Sequence, residues 1–131
     1  MRHIRLIVVL AVAAVLAAPA AASAASSPTR ASISSTANYV STQQISLEVA
    51  LLCEEGLFYS LFGRVLQQQG NVTQVFGEGG TSGPCTGRHQ KVALSVYAFS
   101  FPGWQLGDAL ASISVCAFTC EPAARSIRIV L

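Results

Sequence analysis

From Gln44 onward, apolar residues fall at every second position in one segment after another, and no stretch carries the 3.6-residue spacing of an amphipathic helix. In residues 44–53, Ile45, Leu47, Val49, Leu51 and Cys53 alternate with Ser46, Glu48 and Ala50. Such a chain can bury one side of extended strands and little else, which commits it to sheets. Residues 57–67 carry Tyr59, Leu61 and Val65 on one side and Phe58, Phe62 and Leu66 on the other, as in a central strand covered on both faces. Val92, Leu94 and Val96 mark a strand over 90–99. Ala109, Ala111, Ile113 and Val115 mark one over 108–116, and Ile127, Ile129 and Leu131 one over 125–131.

Two weaker segments complete the set: a strand over 33–40, and a short, moderately polar edge strand over 71–76. The glycine-rich run 77–87 (G-E-G-G-T-S-G-P-C-T-G) reads as loop, because Gly and Pro supply the backbone geometries of turns. Seven short strands in a chain of this length predict an all-β immunoglobulin-like sandwich, with a small closed β-barrel as the alternative.

The N-terminus carries a different pattern. Arg2 and Arg5 precede an unbroken apolar run over 6–18, and Ala22-Ser23-Ala24 has the small residues of a cleavage site. This predicts a signal peptide over 1–24, a flexible Ser/Ala/Thr/Pro-rich lead-in over 25–35, a folded domain over 36–131, and an exported, extracellular protein. The whole chain has 8 Lys and Arg against 6 Asp and Glu, and removing Arg2 and Arg5 leaves equal numbers. A neutral domain with scattered arginines and Lys91 alone has no basic patch for nucleic acid or anionic lipid. No later apolar run approaches the ~20 residues of a membrane helix, so no membrane association is expected after cleavage.

Four cysteines in an exported chain predict a disulfide framework with three possible connectivities. In an immunoglobulin-like order the second strand ends at Cys53 and its neighbour, the fifth, starts just after Cys85, at one pole. Cys116 ends the sixth strand at that same pole, and Cys120 faces it across a three-residue loop, within bridging distance. The expected bridges are therefore Cys53–Cys85 and Cys116–Cys120. The rival, Cys53–Cys116, would copy the inter-sheet bridge of antibody domains, but Trp104 sits in a late loop and Ser114 stands where a tyrosine belongs. A tetrathiolate zinc site lacks its C-x2-C knuckles.

Cys85-Thr86-Gly87, the run Phe101-Pro102-Gly103-Trp104, Gly107-Asp108-Ala109-Leu110-Ala111, the C-x3-C pair and the closing R-x-I-R-I strand resemble small secreted actinobacterial β-sandwich proteins. More distantly, the chain is similar to the neocarzinostatin apoproteins. That resemblance implies a seven-stranded sandwich, a close cysteine pair late in the chain and carriage of an apolar ligand in a cleft. The first disulfide of those proteins closes a short hairpin, whereas Cys53 and Cys85 are 32 positions apart, so no ligand residue is carried over.

Catalytic chemistry finds little footing. After the leader there is one histidine, His89, and there is neither a G-x-S-x-G elbow nor an H-E-x-x-H helix. No metal site or cofactor is expected. Glu54 and Glu55 with Glu78 have the residue type for glycoside hydrolysis, but they read as solvated loop carboxylates. Trp104 is a candidate anchor for a partner, although the favoured place for a ring in that loop is over the open end of the core, since a small sandwich must close its poles. Phe118, at the tip of a cystine-closed loop, has few ways to turn inward and is the best contact candidate. The expectation is thus a secreted, non-enzymatic module that binds a protein or small apolar ligand through loops 54–56, 77–89 and 117–119 at the disulfide-bearing pole. A secreted hydrolase of unrecognised type is the alternative.

Overall fold

The computed structural model describes residues 28–131; the leader and the start of the lead-in lie outside them. Seven strands follow in order: β1 (Arg30–Tyr39), β2 (Gln44–Leu52), β3 (Phe58–Gln69), β4 (Thr73–Pro84), β5 (Gln90–Ala98), β6 (Gly107–Cys116) and β7 (Cys120–Val130). They form a closed barrel, β1-β2-β5-β4-β3-β6-β7, with every neighbouring pair antiparallel except β1 and β7. The all-β, seven-strand, two-disulfide expectation holds, in its closed-barrel form.

Closure is thin at two seams. β4 meets β5 only through Gly77↔Ala98 and Glu78↔Tyr97, and β1 meets β7 through three parallel pairs at Thr36, Ala37 and Asn38. The barrel is thus built as a three-stranded sheet (β1-β2-β5) facing a four-stranded one (β4-β3-β6-β7). Where β1 bulges between Ile33 and Ala37, the Arg125 guanidinium donates to the Ile33 carbonyl at 2.9 Å and bridges the gap. Ile45, Leu47, Val49, Leu94 and Val96 from one sheet interlock with Leu61, Val65, Val75, Val115 and Ile129 from the other. All ten lie on the inward phase of the alternation, which is why the period-2 pattern locates the core.

Five boundaries or faces differ from the sequence reading. β1 starts at Arg30, inside the expected lead-in, and β7 starts at Cys120 rather than at 125. Most of the glycine run is strand: β4 pairs with β3 from Gln69↔Thr73 to Phe58↔Pro84, leaving only 85–89 as loop. The glycines there permit a close crossing. A Cβ on Gly77 would collide with the Tyr97 carbonyl and the Trp104 ring, and one on Gly79 with the Ser95 carbonyl, so β4 can lie against β5 only where side chains are missing. The second side of β3 is not covered: burial alternates strictly along it, leaving Phe58, Phe62 and Leu66 outside the barrel. Leu131 likewise lies past the end of β7 and is exposed, not a core residue.

Candidate binding surface

Both disulfides lie at one end of the barrel. Cys53–Cys85 is buried and ties the end of β2 to the end of β4. Around it the Gly87 N–H donates to the Cys53 carbonyl at 3.0 Å and the Cys85 N–H to the Leu57 carbonyl at 2.8 Å. Cys116 and Cys120 are a facing pair of the β6–β7 hairpin, and their bridge closes the loop 117–119. The register pairs Ser60↔Cys116 and Phe58↔Pro84 put the two bridges at the same pole. The Ala117 N–H donates to the Thr119 carbonyl, leaving Phe118 at the tip with 72 % of its surface exposed.

The structure distributes the candidate residues over three regions. Glu54, Glu55, His89 and Phe118 lie at the disulfide pole, all exposed, with His89 on the rim of a groove of about 240 Å³ shared with Arg30 and Leu52. Glu78 is not in a loop. It sits within β4 on the outer face of the barrel, opposite Arg64 on β3, and accepts from the Arg64 Nε at 3.0 Å. That placement keeps it out of the loop that carries Glu54 and Glu55. Trp104 belongs to the opposite pole, buried in the core, with its indole N–H donating to the Val96 carbonyl at 3.3 Å.

Five exposed large apolar residues, Phe58, Phe62, Leu66, Phe76 and Leu110, stand on the outer face of the four-stranded sheet. Phe76, Leu66 and Leu110 are direct neighbours across β4, β3 and β6, and Phe62 lies four residues along β3 from Leu66 on the same face. Phe99 meets Phe76 edge to face with ring centroids 5.3 Å apart. Beside this row a groove of about 610 Å³ runs over Leu66, Gln68, Leu110 and Ser126 to Ser35. The pair Arg128–Asp108, 3.3 Å apart, lines it. In the next row Glu78, Arg64 and Ser112 are polar. Sequence reasoning missed this surface because it treated the second side of β3 as covered. The available signal was that Leu66, Phe76 and Leu110 all sit on the outward phase of their strands, where polar residues normally stand.

Among the described residues no three His, Cys, Asp or Glu side chains gather as a metal site, and no helix is long and apolar enough to cross a membrane. Comparison with known proteins finds no family model that matches the chain and no matching curated protein.

Proposed function

We propose that this is an exported, non-enzymatic binding module with immunoglobulin-like strand order that holds a small apolar ligand against the outer face of β4-β3-β6-β7. The observation that carries the reading is the in-register row Phe76–Leu66–Leu110 bordering a groove of about 610 Å³. That volume falls within the ~300–1,000 Å³ of small-molecule sites. Isolated exposed apolar residues are ordinary, whereas a contiguous row beside a groove marks a contact surface. The resemblance to the neocarzinostatin apoproteins points to the same class of ligand. Two disulfides suit an extracellular location. The hydrolase alternative has less support, since Glu78 is engaged by Arg64 in mid-strand while Glu54 and Glu55 occupy the pole.

The test uses anilinonaphthalene sulfonate as a generic apolar probe. Wild type should bind it with enhanced fluorescence, and Leu66→Ser with Leu110→Ser should abolish the enhancement while the domain still melts cooperatively, because the two side chains are 37 % and 50 % exposed and stand outside the core. Equal enhancement in the double variant would remove the ligand from this face. A second reading has one observation of its own: Phe118, held out by the Cys116–Cys120 loop, fits a protein partner's pocket. Phe118→Ser should weaken capture of such a partner and leave probe binding unchanged.

A further inference from the structure

The pole opposite the disulfides is made of three connections, residues 40–43, 70–72 and 99–106, and each lifts an apolar tip into solvent. Val40 tops the first, Val72 the second, and Phe101 and Leu106 the third. Val72 and Phe101 are 92 % and 94 % exposed, so they stand free of the protein surface. The fifteen residues of these connections include no Asp, Glu, Lys, Arg or His, whereas the connections at the disulfide pole carry Glu54, Glu55, Arg88 and His89. The connections of this pole thus combine exposed apolar tips with no ionisable side chain, whereas at the disulfide pole the exposed tip Phe118 shares the end with four ionisable residues.

The tips also form one preorganised platform. The Trp104 N–H donates to the Thr42 carbonyl at 2.7 Å, tying the third connection to the first. Gln69, at the end of β3, donates through its side-chain nitrogen to the Gly103 carbonyl at 2.8 Å, tying the third to the strand that leads into the second. Gln67 grips the backbone of Gln105 from both sides, accepting from its N–H at 3.1 Å and donating to its carbonyl at 2.9 Å. Little loop ordering is left to be done on contact.

From this geometry we propose that the pole docks on a zwitterionic lipid surface. Exposed apolar tips on connections without an ionisable side chain suit a fluid partner that closes around each one. None of the three grooves described is built by these connections, so two copies do not meet pole to pole with tip in groove, and a fluid surface needs no preformed hollow. Ser41, Thr42, Gln43, Asn71 and Gln105 between the tips can hydrogen-bond headgroups while the apolar side chains enter the ~5–10 Å interfacial layer. The sequence expectation of no membrane contact rested on missing basic charge and missing apolar helices; docking through these tips needs neither. It should accordingly be insensitive to salt and to anionic lipid. The inference is independent of the ligand reading for the outer sheet face.

The single tryptophan supplies the assay, since Trp104 lies beneath this pole. Protein recovered from the medium of an expressing bacterium, wild type and Val72→Ser/Phe101→Ser with the same N-terminus, is titrated with phosphatidylcholine vesicles brominated near the headgroup end of the acyl chains. Trp104 fluorescence should be quenched in wild type, and the double variant should need at least about tenfold more lipid for half-maximal quenching, at unchanged melting temperature. Absence of quenching overturns the proposal. So does equal quenching of the two proteins, which would mean that another segment anchors the chain. A concentration-dependent dimer, abolished by the double substitution and seen without quenching, would assign the pole to a second copy and equally refute lipid docking.

Discussion

Gly77 on β4 lies directly against the indole of Trp104, with the Tyr97 carbonyl on the same side, so that no Cβ fits at this position. The contact joins the β4–β5 seam to the residue that plugs the pole. Gly77→Ala should therefore destabilise the domain by about 1–3 kcal/mol through overpacking against atoms that cannot move aside. Gly80→Ala is the control: its Cβ would meet only the Leu61 carbonyl, at an ordinary 3.5 Å. Thermal melting separates the two. A domain of this size should lose about 4–8 °C per kcal/mol for Gly77→Ala, and Gly80→Ala should stay near wild type. Equal melting temperatures would show that β4 does not cross β5 at this distance.

Gln67 is a buried polar side chain, and both ends of its amide are used on the backbone of Gln105. Gln67→Leu keeps the volume but strands a backbone N–H and a carbonyl, at about 1–3 kcal/mol for each group left without a partner. Urea unfolding should show a loss of about 2 kcal/mol or more, accompanied by a red shift of Trp104 emission as the loop loosens. A variant as stable as wild type would mean that the clamp contributes nothing.

The two disulfides should differ in weight. By loop entropy the Cys53–Cys85 ring is worth about 3.7 kcal/mol and the Cys116–Cys120 ring about 2 kcal/mol. Burial widens the gap, because paired serines at 53 and 85 would place hydroxyls in the core, whereas Cys120 is exposed. Calorimetry on the two double-serine variants should rank them in that order, and the reverse ranking would contradict the burial of the first bridge.

Ending the chain at Ser126 removes Ile127 and Ile129 from the core and, with them, every register pair between β1 and β7. Each aliphatic contributes about 1.5–3 kcal/mol of burial, against a total stability of about 5–15 kcal/mol. Exposed Leu131 contributes none of this. The truncated protein should not melt cooperatively. A soluble, cooperatively folded product would mean that the barrel closes without its terminal strand.

Local alternation makes several elements legible in the amino-acid sequence. Residues 44–52, 90–98 and 107–116 each have one dominant apolar phase, despite Tyr97 and Leu110 on the outward one, so strand and inward face follow together from Leu47, Leu94 or Ile113. Both cysteine pairs are legible for a related reason: strand order brings their Cα atoms to one pole, and Cys116 and Cys120 are hairpin partners. Phe118 is legible as an exposed tip because a bridge across four positions leaves it little choice. The groove on the outer face is not, since Leu66, Leu110 and Ser126 come together only through the registers of β3, β6 and β7.

What the sequence by itself determined is the period of each strand and the cysteine frame, because both depend on neighbours along the chain or on a fixed covalent reach. Tertiary structure alone decided which second faces meet solvent and where the barrel closes. Phe62 is apolar by type, and whether it is covered depends on what another part of the chain puts over it. The glycines of β4 show the same division. A missing side chain frees the backbone for a turn and equally admits a neighbouring strand at close range, and the presence of Ser95, Tyr97 and Trp104 against 77–79 chose the second.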